Sequence, residues 1–240
     1  MIFESPLVVG RFLKRYQRFF ADVELDGGEV VTAHVANTGS MMGIATPLAP
    51  AALMRSNNPA RKLAYTLEMI QVGDAWVGVN TSRPNQVVEE AIRRSRIPEL
   101  RGYAGLRREV KYGNGSRIDL LLSDEGQPTC YVEVKNVTLR EGCMALFPDA
   151  VTSRGKKHLE ELSEVARSGS RAVMMFLVNR GDCTSCGVAD GIDPEYGECL
   201  RRVQQAGVEL LAYQTELSLS GIDVVKRVPV NLDHRSTLRR

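Results

Sequence analysis

The chain has 240 residues, of which 43% are hydrophobic and 25% are charged, as in ordinary globular proteins of one large or two small domains. The net charge of +2 excludes a chain that is strongly basic or acidic throughout, and no apolar run approaches the roughly 18 residues needed to cross a bilayer. The first residues also lack the basic start and apolar stretch of a signal peptide, so we expect a cytoplasmic protein without a membrane partner.

Short apolar runs separated by turn residues occupy the first third of the chain. Strands are predicted over 11–25, 29–35, 63–71 and 75–79, and no long helical period occurs there. A small closed five-stranded barrel of the oligonucleotide-binding type would use these pieces.

Basic and aromatic residues alternate in the first of these strands. The basic residues are Arg11, Lys14, Arg15 and Arg18. A mixed surface of this kind grips and stacks single strands of nucleic acid, so we predict that these four residues bind nucleic acid. The alternative is that the aromatic residues belong to the barrel core and the basic residues only cover an exposed face.

The rest of the chain alternates helices and strands. A helix is predicted from Pro84, followed by strands over 107–111, 116–122 and 129–137, a helix over 150–167, a strand over 172–178, a helix over 194–206 and a strand over 208–213. Alternation of this kind predicts an α/β layer with a mixed central sheet, α+β when the barrel is included. We therefore predict two domains, residues 1–82 and 83–232, and a flexible tail over 233–240.

Two carboxylates and one amine fall on neighbouring predicted strands. Asp119 lies in an apolar strand, and Glu133 and Lys135 lie two residues apart in the next, so both point to one face. A hairpin between these strands brings Asp119 alongside them. Two neighbouring carboxylates favour a divalent cation, because the metal cancels their repulsion, and Lys135 would then lie near an anion held by that metal.

The predicted helix over 150–167 carries basic residues in its early turns. These are Arg154, Lys156, Lys157 and His158. Cations at a helix N-terminus oppose the helix dipole unless an anion binds nearby, so we predict a phosphate clamp. The alternative is a helix that tolerates its basic end, because Glu160, Glu161 and Glu164 offset the charge at i+4 spacing. Residues 81–157 carry 14 basic and 10 acidic side chains, which supports a phosphate partner only weakly.

An Asp followed at a distance by Glu-x-Lys resembles the signature of the restriction-endonuclease-like superfamily of nucleases. Longer blocks resemble one family, the sugar fermentation stimulation protein A family. These blocks are NTGSM at 37–41, NNPARK at 57–62, VNT at 79–81, EVKYG at 109–113, SRID at 116–119, YVEVKNVTL at 131–139 and FPDAVTSRGKKHL at 147–159. The resemblance covers nearly the whole chain. It implies an oligonucleotide-binding-type barrel followed by a restriction-endonuclease-like α/β domain with a mixed central sheet.

The resemblance also implies a site and a function. Asp119, Glu133 and the carbonyl of Val134 would hold Mg²⁺ or Mn²⁺, Glu109 is assigned to the same metal, and Lys135 would be catalytic with the two carboxylates. The expected function is metal-dependent cleavage of DNA with little sequence specificity. The alternative is a DNA-binding regulator linked to sugar (maltose) metabolism that cleaves nothing. RNA as the partner and a homodimeric state are left open.

The chain has five cysteines, and Cys183 and Cys186 form a Cys-x-x-Cys pair. A structural zinc site would need a second close pair of ligands, and a thioredoxin-like motif would open a helix. Neither condition is met by the sequence, so we assign the pair no role.

Overall fold

The computed structural model describes residues 1–113, 115–234 and 236–239. The strands among them are β1 (Val8–Tyr16), β2 (Phe20–Leu25), β3 (Val30–His34), β4 (Pro50–Arg55), β5 (Tyr65–Val72), β6 (Ala75–Gly78), β7 (Gly105–Tyr112), β8 (Ser116–Asp124), β9 (Gln127–Val137), β10 (Leu139–Glu141), β11 (Met144–Phe147), β12 (Arg171–Val178), β13 (Ser185–Val188), β14 (Glu209–Leu217), β15 (Ile222–Arg227) and β16 (Val230–Asn231). The α-helices are α1 (Pro84–Arg93), α2 (Ser153–Arg167) and α3 (Pro194–Gln205), and a 3-10 turn spans Pro98–Leu100.

The first five strands form a closed barrel. Its strands pair in the order β3-β2-β1-β4-β5, and a parallel pairing of β3 with β5 closes it. Phe12, Val23, Leu53 and Leu67 fill the interior, while β6 extends β5 as a hairpin. The predicted oligonucleotide-binding-type barrel is confirmed.

Two details of the predicted barrel are wrong. The single strand expected over 11–25 is two strands, because Gln17 and Arg18 adopt positive φ angles of 47° and 64° and turn the chain back. No strand is predicted over Pro50–Arg55, where β4 lies. Its apolar residues do not alternate with polar ones, because Leu53 faces the barrel interior and Ala52 packs in the core of the second sheet.

The second sheet is mixed, as predicted, and both of its faces are covered. Its order is β15-β14-β12-β9-β8-β7, with β12 parallel to β9 and to β14 and the other neighbours antiparallel. Val88 of α1 packs on one face with Leu120, whereas Leu159 of α2 and Leu200 of α3 pack on the other. Four short strands that the sequence did not predict form a further sheet in the order β10-β11-β13-β16.

Helix α2 begins at Ser153 because the side chain of Thr152 caps it. The hydroxyl of Thr152 accepts the backbone N–H of Gly155 at 3.0 Å. A Cβ on Gly155 would lie 3.2 Å from the ring of Tyr196, so the missing side chain allows α2 to pack closely against α3. This packing fixes the first turns of α2 beside the sheet.

The described part of the tail contacts the rest of the protein. His234 and Thr237 both bind the carboxylate of Glu141. Arg235 and Arg240, which belong to the tail predicted to be flexible, lie outside the described residues. Among the described residues, no helix is both long and apolar enough to span a bilayer.

The barrel and the second sheet meet at a buried amide. The side chain of Asn179 donates to the carbonyl of Gly78 at 3.2 Å and accepts from the hydroxyl of Thr215 at 3.0 Å. A Cβ on Gly78 would lie 2.3 Å from the Asn179 amide, so only glycine fits there. Asn179 thus joins β6 of the barrel to β14 of the sheet.

We expect Asn179→Ala to lower the free energy of unfolding by about 1–3 kcal/mol, because it removes a buried hydrogen-bond partner of both Gly78 and Thr215. Urea unfolding followed by circular dichroism measures this change. The control, Asn57→Ala at an exposed position, should change stability by less than about 0.5 kcal/mol. Equal stabilities of the two variants would show that the amide does not hold the two sheets together.

Candidate metal centre and nucleic-acid cleft

Strands β8 and β9 bring the two predicted carboxylates together. Leu120 pairs with Val132 in an antiparallel register, and this register places Asp119 opposite Glu133. Lys135 lies on the same face as Glu133, and its Nζ is 2.8 Å from Glu133 Oε1. The expected juxtaposition of the three residues is therefore present in the structure.

Asp119 is held by two donors. The Nδ2 of Asn85, at the start of α1, donates to Oδ1 at 2.8 Å, and the backbone N–H of Val134 donates to Oδ2 at 2.7 Å. Burial, and then the negative charge of Glu133, raise the pKa of Asp119 to about 6, although both hydrogen bonds oppose this shift. The two hydrogen bonds therefore only partly offset the rise in the pKa of Asp119 that burial and the neighbouring carboxylate cause.

Glu133 is almost completely buried, at 2% exposure. Burial acts to raise its pKa, but the hydrogen bond from His158 and the charge of Lys135 outweigh burial and lower the pKa. Both partners contact the same oxygen, Oε1, which Lys135 Nζ and His158 Nδ1 approach together. The other oxygen, Oε2, is buried without a hydrogen-bond partner among the described residues.

The two remaining predicted metal ligands lie next to this pair. Val134 donates its backbone N–H to Asp119. Because the N–H and C=O groups of a strand residue point to the same side of the strand, its carbonyl also points toward the side on which Asp119 lies. Glu109 lies opposite Asp119 on β7, is exposed, and has a positive φ of 52°. Its Oε1 is 3.5 Å from Asn85 Nδ2. Among the described residues, no three acidic, His or Cys side chains are grouped closely enough to hold a metal by themselves.

The carboxylates lie in a cleft of about 520 Å³ between the barrel and the second sheet. Arg18 reaches it from the barrel, Arg117 from β8 and Arg154 from the first turn of α2. All three are exposed. A strand of nucleic acid lying in this cleft would contact both domains at once.

Four of the other predicted nucleic-acid-binding residues lie outside this cleft, and each is paired with an acidic side chain. Arg11 pairs with Glu24 at 2.9 Å, Lys14 with Asp22 at 3.5 Å, Lys156 with Glu195 at 2.8 Å and Lys157 with Glu161 at 3.7 Å. All four basic side chains are exposed, and ion pairs open to solvent on one side hold weakly, so the pairing does not prevent a phosphate contact. The roles of these four residues in nucleic-acid binding stay predictions.

Arg15 and His158 contact the protein itself. The guanidinium of Arg15 donates to the carbonyls of Asn37 at 2.6 Å and Gly39 at 2.9 Å, and burial lowers its pKa although Asp149 opposes this. It thereby shapes a loop of the barrel at the edge of the cleft. His158, at 6% exposure, turns its ring toward Glu133. Their predicted contacts with nucleic acid also stay predictions.

Three residues of the site were missed by sequence reasoning. Asn85, Arg117 and Asp149 all line the cleft. Asp149 accepts the backbone N–H of Met41 at 3.2 Å, and its backbone carbonyl accepts the hydroxyl of Ser40 at 2.7 Å, so it ties the barrel loop to the second domain. Asp149 and Arg117 lie inside blocks that carry the family resemblance, which was the available signal. Asn85 lies in no such block.

The Cys-x-x-Cys pair belongs to the core. Cys183, Cys186 and Cys199 are buried thiols in the cluster under α2 and α3. Burial raises the pKa of Cys183 and that of Cys186 to about 12, so neither is a ready thiolate.

A barrel of the oligonucleotide-binding type, followed by a mixed sheet with Asp and Glu-x-Lys at a cleft, defines a restriction-endonuclease-like protein with an N-terminal barrel domain. Family models agree in both halves. The sugar fermentation stimulation protein RE domain matches residues 82–221, and the SfsA N-terminal OB domain matches residues 13–79. The chain belongs to the sugar fermentation stimulation protein family, as the sequence blocks predicted.

Known relatives match the chain along nearly its whole length. The sugar fermentation stimulation protein homolog of Geotalea daltonii is 53% identical over 97% of this chain and 100% of the relative. The homolog of Geobacter sulfurreducens is 52% identical over 96% and 98%. The structure of Pyrococcus furiosus SfsA in complex with Ca²⁺ is 29% identical, with a TM-score of 0.88, and the match covers 96% of this chain and 98% of that one.

The raised pKa of Asp119 predicts how stability depends on pH in the presence of a chelator. Between the unfolded pKa near 3.9 and the folded pKa of about 6, the native state holds a proton that the unfolded state has released. Stability from this group is therefore present at low pH and lost as pH rises through about 6. We expect the stability of Asp119→Asn relative to the wild type to rise by up to about 3 kcal/mol between pH 4 and pH 8, because the variant carries no charge at this position.

Urea unfolding of both proteins between pH 4 and pH 8 measures this rise. The control is Asp124→Asn, because backbone hydrogen bonds from Gly126 and Ala104 lower the pKa of this exposed carboxyl. That variant should gain nothing at pH 8. A stability difference between the two proteins that is the same at pH 4 and at pH 8 would contradict the prediction.

Proposed function

We propose that the protein is a divalent-metal-dependent nuclease that hydrolyses phosphodiester bonds of DNA with little sequence specificity. The observation that carries this proposal is the cleft in which Asp119, Glu133 and Lys135 meet below exposed arginines from both domains. Carboxylates that hold a metal beside an amine, within reach of phosphate-binding groups, are the parts that phosphodiester hydrolysis needs.

The residues fit a divalent cation of the Mg²⁺ class. Glu133 Oε2 is a buried anionic oxygen without a hydrogen-bond partner among the described residues, and the neighbouring charge raises the pKa of Asp119. A cation between the two carboxylates would give Glu133 Oε2 a partner and would reduce the repulsion that raises the pKa of Asp119. Two carboxylates with a backbone carbonyl suit Mg²⁺ or Mn²⁺, because such ions keep several waters and bind substrate phosphates. The Ca²⁺ in the relative from Pyrococcus furiosus also supports a divalent cation.

Each residue then has a role. Asp119, Glu133 and the carbonyl of Val134 would hold the cation, and Glu109, exposed at the same cleft, would be a further acidic ligand. When bound, this cation polarises the scissile phosphate and lowers the pKa of a water molecule. Lys135 is placed by its contact with Glu133 to orient the attacking water or to stabilise negative charge developing on the phosphate.

The arginines position the substrate without selecting its sequence. Arg18, Arg117 and Arg154 present guanidinium groups to the cleft, where they match the geometry of phosphate oxygens. Contacts with phosphates fix the register of the backbone and carry no base information. The nuclease is therefore proposed to cleave many sequences.

The first test compares wild-type protein with Glu133→Gln on labelled single-stranded and double-stranded DNA, with Mn²⁺, Mg²⁺ or chelator. We expect cleavage only with metal, and a loss of at least about 100-fold in the variant because one metal-holding charge is gone. Glu125→Gln, an exposed change in the turn between β8 and β9, is the matched control and should cleave normally.

The alternative function, a DNA-binding regulator of sugar use without turnover, has its own outcome in this test. If the DNA stays intact and is retarded equally in every lane, the nuclease proposal is wrong and the DNA-binding regulator is supported. The same lanes run with RNA decide which nucleic acid is the substrate.

A second test concerns the arginines that line the cleft. We expect Arg18→Gln and Arg117→Gln each to weaken DNA binding in the presence of Ca²⁺ and to reduce the slope of log affinity against log salt by about 1, as the loss of one phosphate contact does. Fluorescence anisotropy over a range of salt concentrations measures both quantities. Arg167→Gln, at the far end of α2 and paired with Glu164, is the control. Unchanged slopes in both cleft variants would place the DNA elsewhere.

A further inference from the structure

We propose that His158 is a positioning residue for the metal site: it holds Oε1 of Glu133 so that Oε2 is the oxygen presented to the cation. This inference rests on the proposed metal-dependent function and adds a residue to it. It also gives His158 a different task from the nucleic-acid contact that the sequence suggested.

The first support is that the two carboxylate oxygens of Glu133 have different surroundings. His158 Nδ1 and Lys135 Nζ both contact Oε1, whereas Oε2 is buried and has no hydrogen-bond partner among the described residues. A carboxylate pinned through one oxygen keeps its other oxygen in a fixed direction. Fixing a ligand oxygen in this way raises metal affinity, because less freedom is lost on binding.

The second support is the state of the His158 ring. Arg154 Nε donates to His158 Nε2 at 3.4 Å, so Nε2 is the accepting nitrogen and Nδ1 carries the proton given to Glu133. Both ring nitrogens are thus occupied, Nδ1 by Glu133 and Nε2 by Arg154, so neither is directed at a phosphate. The ring is also 6% exposed, so it is poorly placed to contact a nucleic-acid backbone.

The third support is the rigidity of the helix that carries His158. Thr152 caps the first turn of α2, and Leu159 and Leu162 anchor its next turns in the core below the sheet. The ring thus projects from a fixed backbone toward β9. Such a placement suits a residue that must hold a carboxylate in one orientation, whereas a phosphate contact needs no buried ring.

The test measures the affinity for Mn²⁺ by isothermal titration calorimetry in the absence of DNA. We expect His158→Leu to bind Mn²⁺ about 10- to 100-fold more weakly than the wild type, the usual cost of losing a hydrogen bond to a metal ligand. His158→Asn should recover most of this affinity, because its amide N–H can take the place of Nδ1–H. His234→Leu, at a histidine that contacts Glu141 away from the cleft, is the matched control and should bind normally.

Thermal melts of the metal-free variants identify any general loss of folding, and the melting shift produced by Mn²⁺ gives a second measure of affinity. Recovery by asparagine would also distinguish positioning from a purely structural role, since leucine fills the volume and asparagine restores the donor. DNA affinity in chelator should be the same for the wild type and both His158 variants.

Three outcomes overturn the inference in distinguishable ways. If Glu133→Gln loses Mn²⁺ binding while His158→Leu binds like the wild type, the positioning role is wrong and the proposed metal site stands. If His158→Leu and His158→Asn lose DNA affinity and keep Mn²⁺ affinity, His158 contacts nucleic acid. If the wild type binds no Mn²⁺, the proposed function itself fails and the role of His158 fails with it.

Discussion

The close approach of Asp119 and Glu133 is the constraint on which the rest of the site depends. Two carboxylates side by side in a partly buried setting repel each other, and burial adds a cost for each charge. The surroundings of these two carboxylates differ. Glu133 is kept anionic by Lys135 and His158, whereas Asp119 receives only neutral donors and its pKa rises to about 6. The repulsion that remains is concentrated on Asp119, which is the arrangement that a cation between the two groups would relieve.

The surrounding fold holds this pair in place from several directions. Strands β8 and β9 lie inside a sheet covered by helices on both faces, so their register cannot slip without exposing apolar side chains. Helix α1 supplies Asn85 to one carboxylate and α2 supplies His158 to the other. Arg15 and Asp149 then fix the barrel loop at the edge of the cleft. Both domains therefore contribute residues to the walls of the cleft.

The sequence predicted the part of the site that lies on one hairpin. Asp119, Glu133 and Lys135 could be placed together because strand period and antiparallel pairing are local rules. Asn85 and Asp149 could not, because their positions depend on how α1 and the segment before α2 pack against distant strands. The burial of His158 was missed for the same reason. Its position among basic residues indicated an exposed clamp, but the rotation of α2 against the sheet turns its ring inward.

The elements missed in the fold have a similar explanation. β4 is buried on both sides by two different domains, so it shows none of the alternation by which a half-buried strand is recognised. The strands of the small third sheet have two to four residues each, which is too short for a period to be visible. Long elements with one buried face were predictable, and those defined by contacts between domains were not.

The charge of the cleft would couple the proposed metal binding to the proposed nucleic-acid binding. Four cationic and four anionic side chains line it among the described residues, namely Arg18, Arg117, Lys135 and Arg154 against Glu109, Asp119, Glu133 and Asp149. Without a cation these charges balance, so the cleft has no net charge that would strengthen its attraction for a polyanion. A divalent cation would leave it with a net positive charge next to the arginines. The two ligands should therefore strengthen each other's binding, since coupling between sites is reciprocal.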